Sequence, residues 1–115
     1  MSEKVQYFIY DSDGCEYRAK IKDVKKLIVV AYNYCGSLCK YSSEDDKWSY
    51  IYDSHNDIEN NIDSVKEYGI ELKDGYIGSS ECIGIPFYKG KNLFEEYKNV
   101  KIEEIGKETK AYILL

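Results

Sequence analysis

The side chains best suited to chemistry stand together at Asp53-Ser54-His55-Asn56-Asp57, which holds the only histidine of the chain. Two carboxylates around an imidazole could bind a divalent cation, or poise the imidazole as an acid or base near neutral pH. Asp and Asn are also the residues that cap a helix N-terminus, and a helical pattern starts here, so capping accounts for the cluster without any reaction. Four cysteines, Cys15, Cys35, Cys39 and Cys82, raise the question of zinc. Structural zinc sites use closely spaced cysteine pairs, and only Cys35 and Cys39 have that spacing; the same two could form a disulfide. Cys15 and Cys82 stand alone within expected strands, the ordinary setting of an inert buried thiol. A nucleophilic Cys–His pair would need His55 beside Cys35 or Cys39 in space. Gly75-Tyr76-Ile77-Gly78 opens no helix and is followed by no Lys-Ser/Thr, so it is a poor phosphate loop. Asp11-Ser12-Asp13-Gly14 starts like a calcium loop, but the oxygen ligands that should follow are missing. No catalytic residue, metal or cofactor is therefore assigned from a motif.

Charge is the more informative signal. The net charge is −5, yet residues 1–43 carry +2, residues 44–74 carry −7 (ten acids against Lys47, Lys66 and Lys73), and residues 75–115 cancel. The surface expected to meet a partner is drawn from that segment: Glu44, Asp45, Asp46, Asp57, Glu59, Asp63 and Glu67. Glu59, Asp63 and Glu67 recur every four residues on the outer face of the expected helix, where each like-charge pair costs a few tenths of a kcal/mol. Glu67 is opposed by the helix dipole as well. A helix selected for stability alone would not carry these three acids together. The segment disfavours direct nucleic-acid binding, because neutralising phosphates needs Lys and Arg. It suits a basic protein instead. Thirteen tyrosines supply rigid amphipathic contact area around it, although an Ile/Lys/Tyr/Asn-leaning composition explains most of them.

These groups must be positioned by a small α+β domain. A length of 115 residues fits a single globular domain over residues 1–115, with 43% hydrophobic and 32% charged residues. Leu27 to Tyr34 is an uncharged run rich in β-branched and aromatic side chains, read as the central strand of the only sheet, covered on both faces. Val5–Tyr10 and Cys15–Ile21 read as strands around an Asp-Gly turn. Trp48, Tyr50 and Tyr52 fall on one side of another strand, an arrangement that favours sheet packing over base stacking beside Asp46 and Asp53. The main helix is expected over about 56–68, with Ile58, Ile62, Val65 and Tyr68 as its buried stripe, packed on one face of a mostly antiparallel sheet of about five to seven strands. Pro86 marks Cys82–Tyr88 as an edge strand. Asn92–Tyr97 reads as a helical turn, and Val100–Ile105 with Lys110–Leu114 as a final hairpin. A short hairpin is expected around Ile70–Ile77.

With no apolar run long enough to span a bilayer and no signal-like N-terminus, a cytoplasmic location is expected, with reduced cysteines. The functional expectation is a small acidic binding module without catalysis, one that neutralises a basic protein such as a nuclease or toxin, in the manner of an immunity protein or inhibitor. The alternative is a small-ligand or divalent-metal domain, or a weak enzyme, built on Asp53, His55 and Asp57 with the glycine-rich loops of residues 75–90.

Overall fold

Alternating side chains and a tight turn build the first hairpin in the computed structural model, which describes residues 4–54, 58–73 and 84–108. Strands β1 (Val5–Tyr10) and β2 (Glu16–Ala19) pair antiparallel. The Asp11 carboxylate accepts from the Asp13 and Cys15 amides at 2.9 and 3.0 Å, closing the turn over Gly14.

Helix α1 (Val24–Asn33) replaces the expected central strand. The Asp23 side chain caps it by accepting from the Lys25 amide at 3.1 Å. Val24, Leu27, Ile28 and Ala31 fall at i, i+3, i+4 and i+7, the helical spacing. Its run looked strand-like because Leu27 to Ala31 have no exposed surface at all. The helix packs on the sheet at one side and on β6 (Ile85–Tyr88) and α3 (Leu93–Tyr97) at the other. An element walled in on every side loses the polar face that would reveal its period.

After α1 the chain forms a second hairpin, β3 (Ser37–Ser42) with β4 (Lys47–Asp53); of these two strands only the one carrying Trp48, Tyr50 and Tyr52 is expected from the sequence. Gly36 permits the entry into β3: a Cβ there would lie 1.6 Å from the Tyr10 carbonyl oxygen. Strand β8 (Gly106–Glu108) completes a five-stranded antiparallel sheet in the order β4-β3-β1-β2-β8. A second, three-stranded sheet runs β5 (Ile70–Lys73), β6, β7 (Lys91–Asn92). The α+β class and the mainly antiparallel pairing agree with the sequence. The single main helix does not: α1, α3 and α4 (Ile102–Ile105) join α2 (Ile58–Lys66).

Two further expectations change. Val100–Ile105 ends in helix α4 rather than a strand, and β8 starts within the expected turn at Gly106. Pro86 lies on the middle strand of the second sheet, not on an edge. The two-residue β7 reaches only Phe87 and Tyr88, so Pro86 pairs with Leu72 on one side and its missing N–H is not needed on the other. The expected hairpin around Ile70–Ile77 passes into residues 74–83, outside the described residues; the described part, β5, pairs with β6.

The core sits between the inner face of the larger sheet and the helices: Ile9, Leu38, Ile51 and Tyr52 from the strands meet α1, Val65 of α2, Leu93 and Ile102. No helix among the described residues is long and apolar enough to cross a membrane.

Candidate functional site

The opposite face of the five-stranded sheet has no layer of described elements on it, and it carries a group of aromatic side chains beside charged ones. Strand register defines its members. Phe8 lies opposite Arg18 on β2 and Cys39 on β3; Cys39 in turn lies opposite Tyr50, and Tyr41 opposite Trp48. Strand alternation adds Tyr10 and Glu16 to the same face. Trp48 is 50% and Tyr50 63% exposed, whereas Phe8 and Cys39 beneath them are buried. The Trp48 ring sits 4.9 Å from both Phe8 and Tyr41, centroid to centroid.

A register shift between Leu38 and Cys39 makes this arrangement. Tyr50 pairs with Cys39 and Tyr52 with Leu38, leaving Ile51 as an extra residue in β4. Tyr52 therefore turns into the core at 1% exposure while Trp48 and Tyr50 stay outside. The expectation that all three share one side is corrected by this bulge. So is the reading of Trp48 and Tyr50 as packed residues.

Carboxylates are tied to the rim by tyrosine hydroxyls. Tyr10 donates to Glu16 Oε2 at 2.5 Å, and Tyr41 donates to Asp46 Oδ1 at 2.7 Å. Burial first, and then the Glu16 bond, push the Tyr10 phenol far up; the Asp46 bond is the main cause of the rise at Tyr41. Both tyrosines thus remain donors over the whole neutral range. Between Tyr10, Trp48 and Tyr50 lies a cup of about 190 Å³, completed by Cys39 and Ser49. Burial raises the Cys39 thiol to about 11, so it is a neutral thiol there rather than a nucleophile.

The acids expected to form one surface are divided. Glu44, Asp45 and Asp46 occupy the β3–β4 turn beside Tyr41 and Trp48, with Glu44 paired to Lys4 at 3.1 Å on the surface. Asp63 and Glu67 are exposed in and just after α2, which docks at the far end of β4. Strand β4, seven residues and roughly 20 Å long, runs between the turn and the Asp53 end at which α2 docks. Asp57 lies outside the described residues, as does the side chain of Glu59.

Of the cluster proposed for chemistry, only Asp53 and Ser54 fall among the described residues. Asp53 ends β4, its amide and carbonyl both held by the Asn61 side chain at 3.0 Å, while His55 lies outside the described residues. Residues 74–83 of the glycine-rich loops, with Cys82, are also outside them. No group of three or more His, Cys, Asp or Glu among the described residues is placed to hold a metal ion. Cys39 is a free thiol, so it forms no disulfide with the exposed Cys35. A larger depression of about 510 Å³ between Tyr7, Tyr68, Tyr88 and the start of α1 contains Lys22 and Lys25. Its cations are occupied internally: Lys25 pairs with Asp23 at 3.2 Å, and Lys22 donates to the Val5 carbonyl.

The sequence reading missed Phe8, Tyr10, Cys39 and Tyr41 as a shared face because it did not recognise β3. Period-two alternation of Cys39 and Tyr41 against Leu38 and Lys40 was the available signal. Compared with known proteins, the chain matches no family model, no curated protein and no solved structure.

Proposed function

We propose that this protein is a non-catalytic binding module that neutralises a basic protein partner, such as a nuclease or toxin, through the uncovered face of its five-stranded sheet. The observation that carries the reading is the exposure of Trp48 and Tyr50 on that face, beside the acidic β3–β4 turn. Trp and Tyr are the residue types that most often dominate interface energetics, because each buries large area at little entropic cost. Glu44, Asp45 and Asp46 then set the charge preference where contact occurs. Asp63 and Glu67, with Asp57 and Glu59 of the same segment, act at longer range, raising the association rate more than the affinity. The proposal places the module in the cytoplasm, where reduced thiols such as Cys39 persist.

The test is retention of proteins from source-cell lysate on immobilised wild type, on Trp48→Ala/Tyr50→Ala and on an Asp63→Lys/Glu67→Lys variant. The expected result is one basic protein held stoichiometrically by the wild type and released at high salt. The double alanine variant should weaken it by about 2 kcal/mol or more, roughly thirtyfold in Kd. Charge reversal on α2 should slow association and flatten its salt dependence while circular dichroism stays unchanged. Equal retention by the alanine variant would overturn the proposal.

A further inference from the structure

The size and lining of the cup on the sheet face narrow what it takes. Its volume of about 190 Å³ falls below the roughly 300–1,000 Å³ of pockets that hold whole small molecules. It suits the end of one side chain. The walls are the rings of Tyr10, Trp48 and Tyr50, whose faces carry the negative part of the aromatic quadrupole. Carboxylates flank two of the walls: Glu16 accepts from the hydroxyl of Tyr10, which lines the cup, and Asp46 accepts from Tyr41, whose ring lies 4.9 Å from that of Trp48. An apolar group covering this rim would strip water from carboxylates and return no hydrogen bonds. An anion would meet both carboxylates and the ring faces. Arg18 and Lys107 stand opposite one another on β2 and β8, on the other side of β1 from Cys39, and Lys4 is paired with Glu44.

Resting on the partner-binding reading, we propose that the cup is a guanidinium site: it receives an arginine side chain of the partner, stacked on Trp48 and Tyr50 and hydrogen-bonded to the carboxylate rim. A guanidinium fits better than an ammonium for two reasons. It is planar and weakly hydrated, so it stacks on a ring at lower desolvation cost. Its five N–H donors in a fixed fork reach a carboxylate while the plane remains on the aromatic wall. Cys39 and Ser49, the two small residues of the lining, leave the space that the aromatic residues enclose.

Trp48 is the only tryptophan of the chain, so its emission reports on this site directly. The experiment titrates the full chain with N-acetyl-arginine amide, N-acetyl-lysine amide and the neutral isostere N-acetyl-citrulline amide, and repeats the series on Glu16→Gln and Asp46→Asn. Asn tolerates the left-handed backbone of position 46 (φ 49°), and circular dichroism verifies both folds. The expected result is a saturable emission change with arginine amide, about fivefold tighter than with lysine amide and absent with citrulline amide, weakened about fivefold in each carboxamide variant. A response to citrulline equal to arginine, an equal response to lysine, or none at all would overturn the guanidinium assignment. That failure is separable from the failure of the binding reading. A partner released by Trp48→Ala/Tyr50→Ala alongside a silent arginine titration removes only the cup. An arginine response alongside a partner that ignores those substitutions removes the binding face and retains the cup.

Discussion

Tyr52 shows what one misplaced hydroxyl costs. The side chain is 1% exposed, and its oxygen has no hydrogen-bond partner among the described residues. Plain alternation along β4 would have left this phenol on the outer face with Trp48 and Tyr50; the extra residue at Ile51 turns it inward. Leaving a buried hydroxyl unsatisfied costs about 1–3 kcal/mol, whereas the ring itself contributes to the core. Tyr52→Phe should therefore raise stability by about 1 kcal/mol in urea unfolding; a loss instead would reveal a hydrogen bond to the oxygen. At this scale the sequence was informative about residue type but not about side. Thirteen tyrosines announce contact area. A single bulge then decides which of them face solvent, and a bulge has no reliable signature in residue order. The acids were legible as charges, and their separation into two groups was not, because it depends on the length of β4.

Among the elements, α1 and α2 were legible to different degrees for a physical reason. Helix α2 keeps exposed Asp63 and Lys66 opposite buried Val65, so its period is visible in the sequence. Even there Ile62, expected in the buried stripe, is 40% exposed, while Asn61 takes the interior place at 2%. Asn61 is inside because it closes the edge of the large sheet: its amide oxygen accepts from the Asp53 N–H and its amide nitrogen donates to the Asp53 carbonyl, both at 3.0 Å. Ser64 donates to the Ile51 carbonyl at 2.6 Å. The helix thus blocks the upper part of an otherwise open edge strand. Removing the clasp with Asn61→Ala should cost about 2 kcal/mol, two net hydrogen bonds. Hydrogen exchange at Asp53 should accelerate more than at β1 amides. Uniform acceleration across the sheet would show that Asn61 supports the fold generally rather than this edge.

For the molecule as a whole, a core rich in phenols and a buried thiol sets the pH range of stability. Burial is the first cause that raises Tyr10, Tyr52 and Tyr68 above their ordinary 10.0, and it raises Cys39 from 9.0 to about 11. The unfolded chain loses these protons at the ordinary values, and the folded chain holds them longer. Folded stability is thus complete below about pH 9 and declines as pH rises, because the unfolded state then binds fewer protons. Cys39 alone should contribute a loss on the order of 2 kcal/mol between about pH 9 and 11. The check is the urea midpoint at pH 8 and pH 11 for wild type and Cys39→Ala; an identical decline in both would remove Cys39 as a cause.

The pairing of β2 with β8 joins residues 17–19 to 106–108, nearly opposite ends of the described chain. Everything else in the large sheet, β1 to β4, lies within the first 53 residues. On a ribosome the four-stranded part is therefore complete long before its outer strand exists. At about 5–20 residues per second, β2 waits roughly 5–20 s for β8 to be made. During that interval its outer N–H and C=O groups face the crowded surroundings of the nascent chain, with Glu16, Arg18 and Lys20 as charged gatekeepers against mispairing. The last of the described strands is thus a cap that arrives late, and translation speed enters the folding of this sheet through three residues.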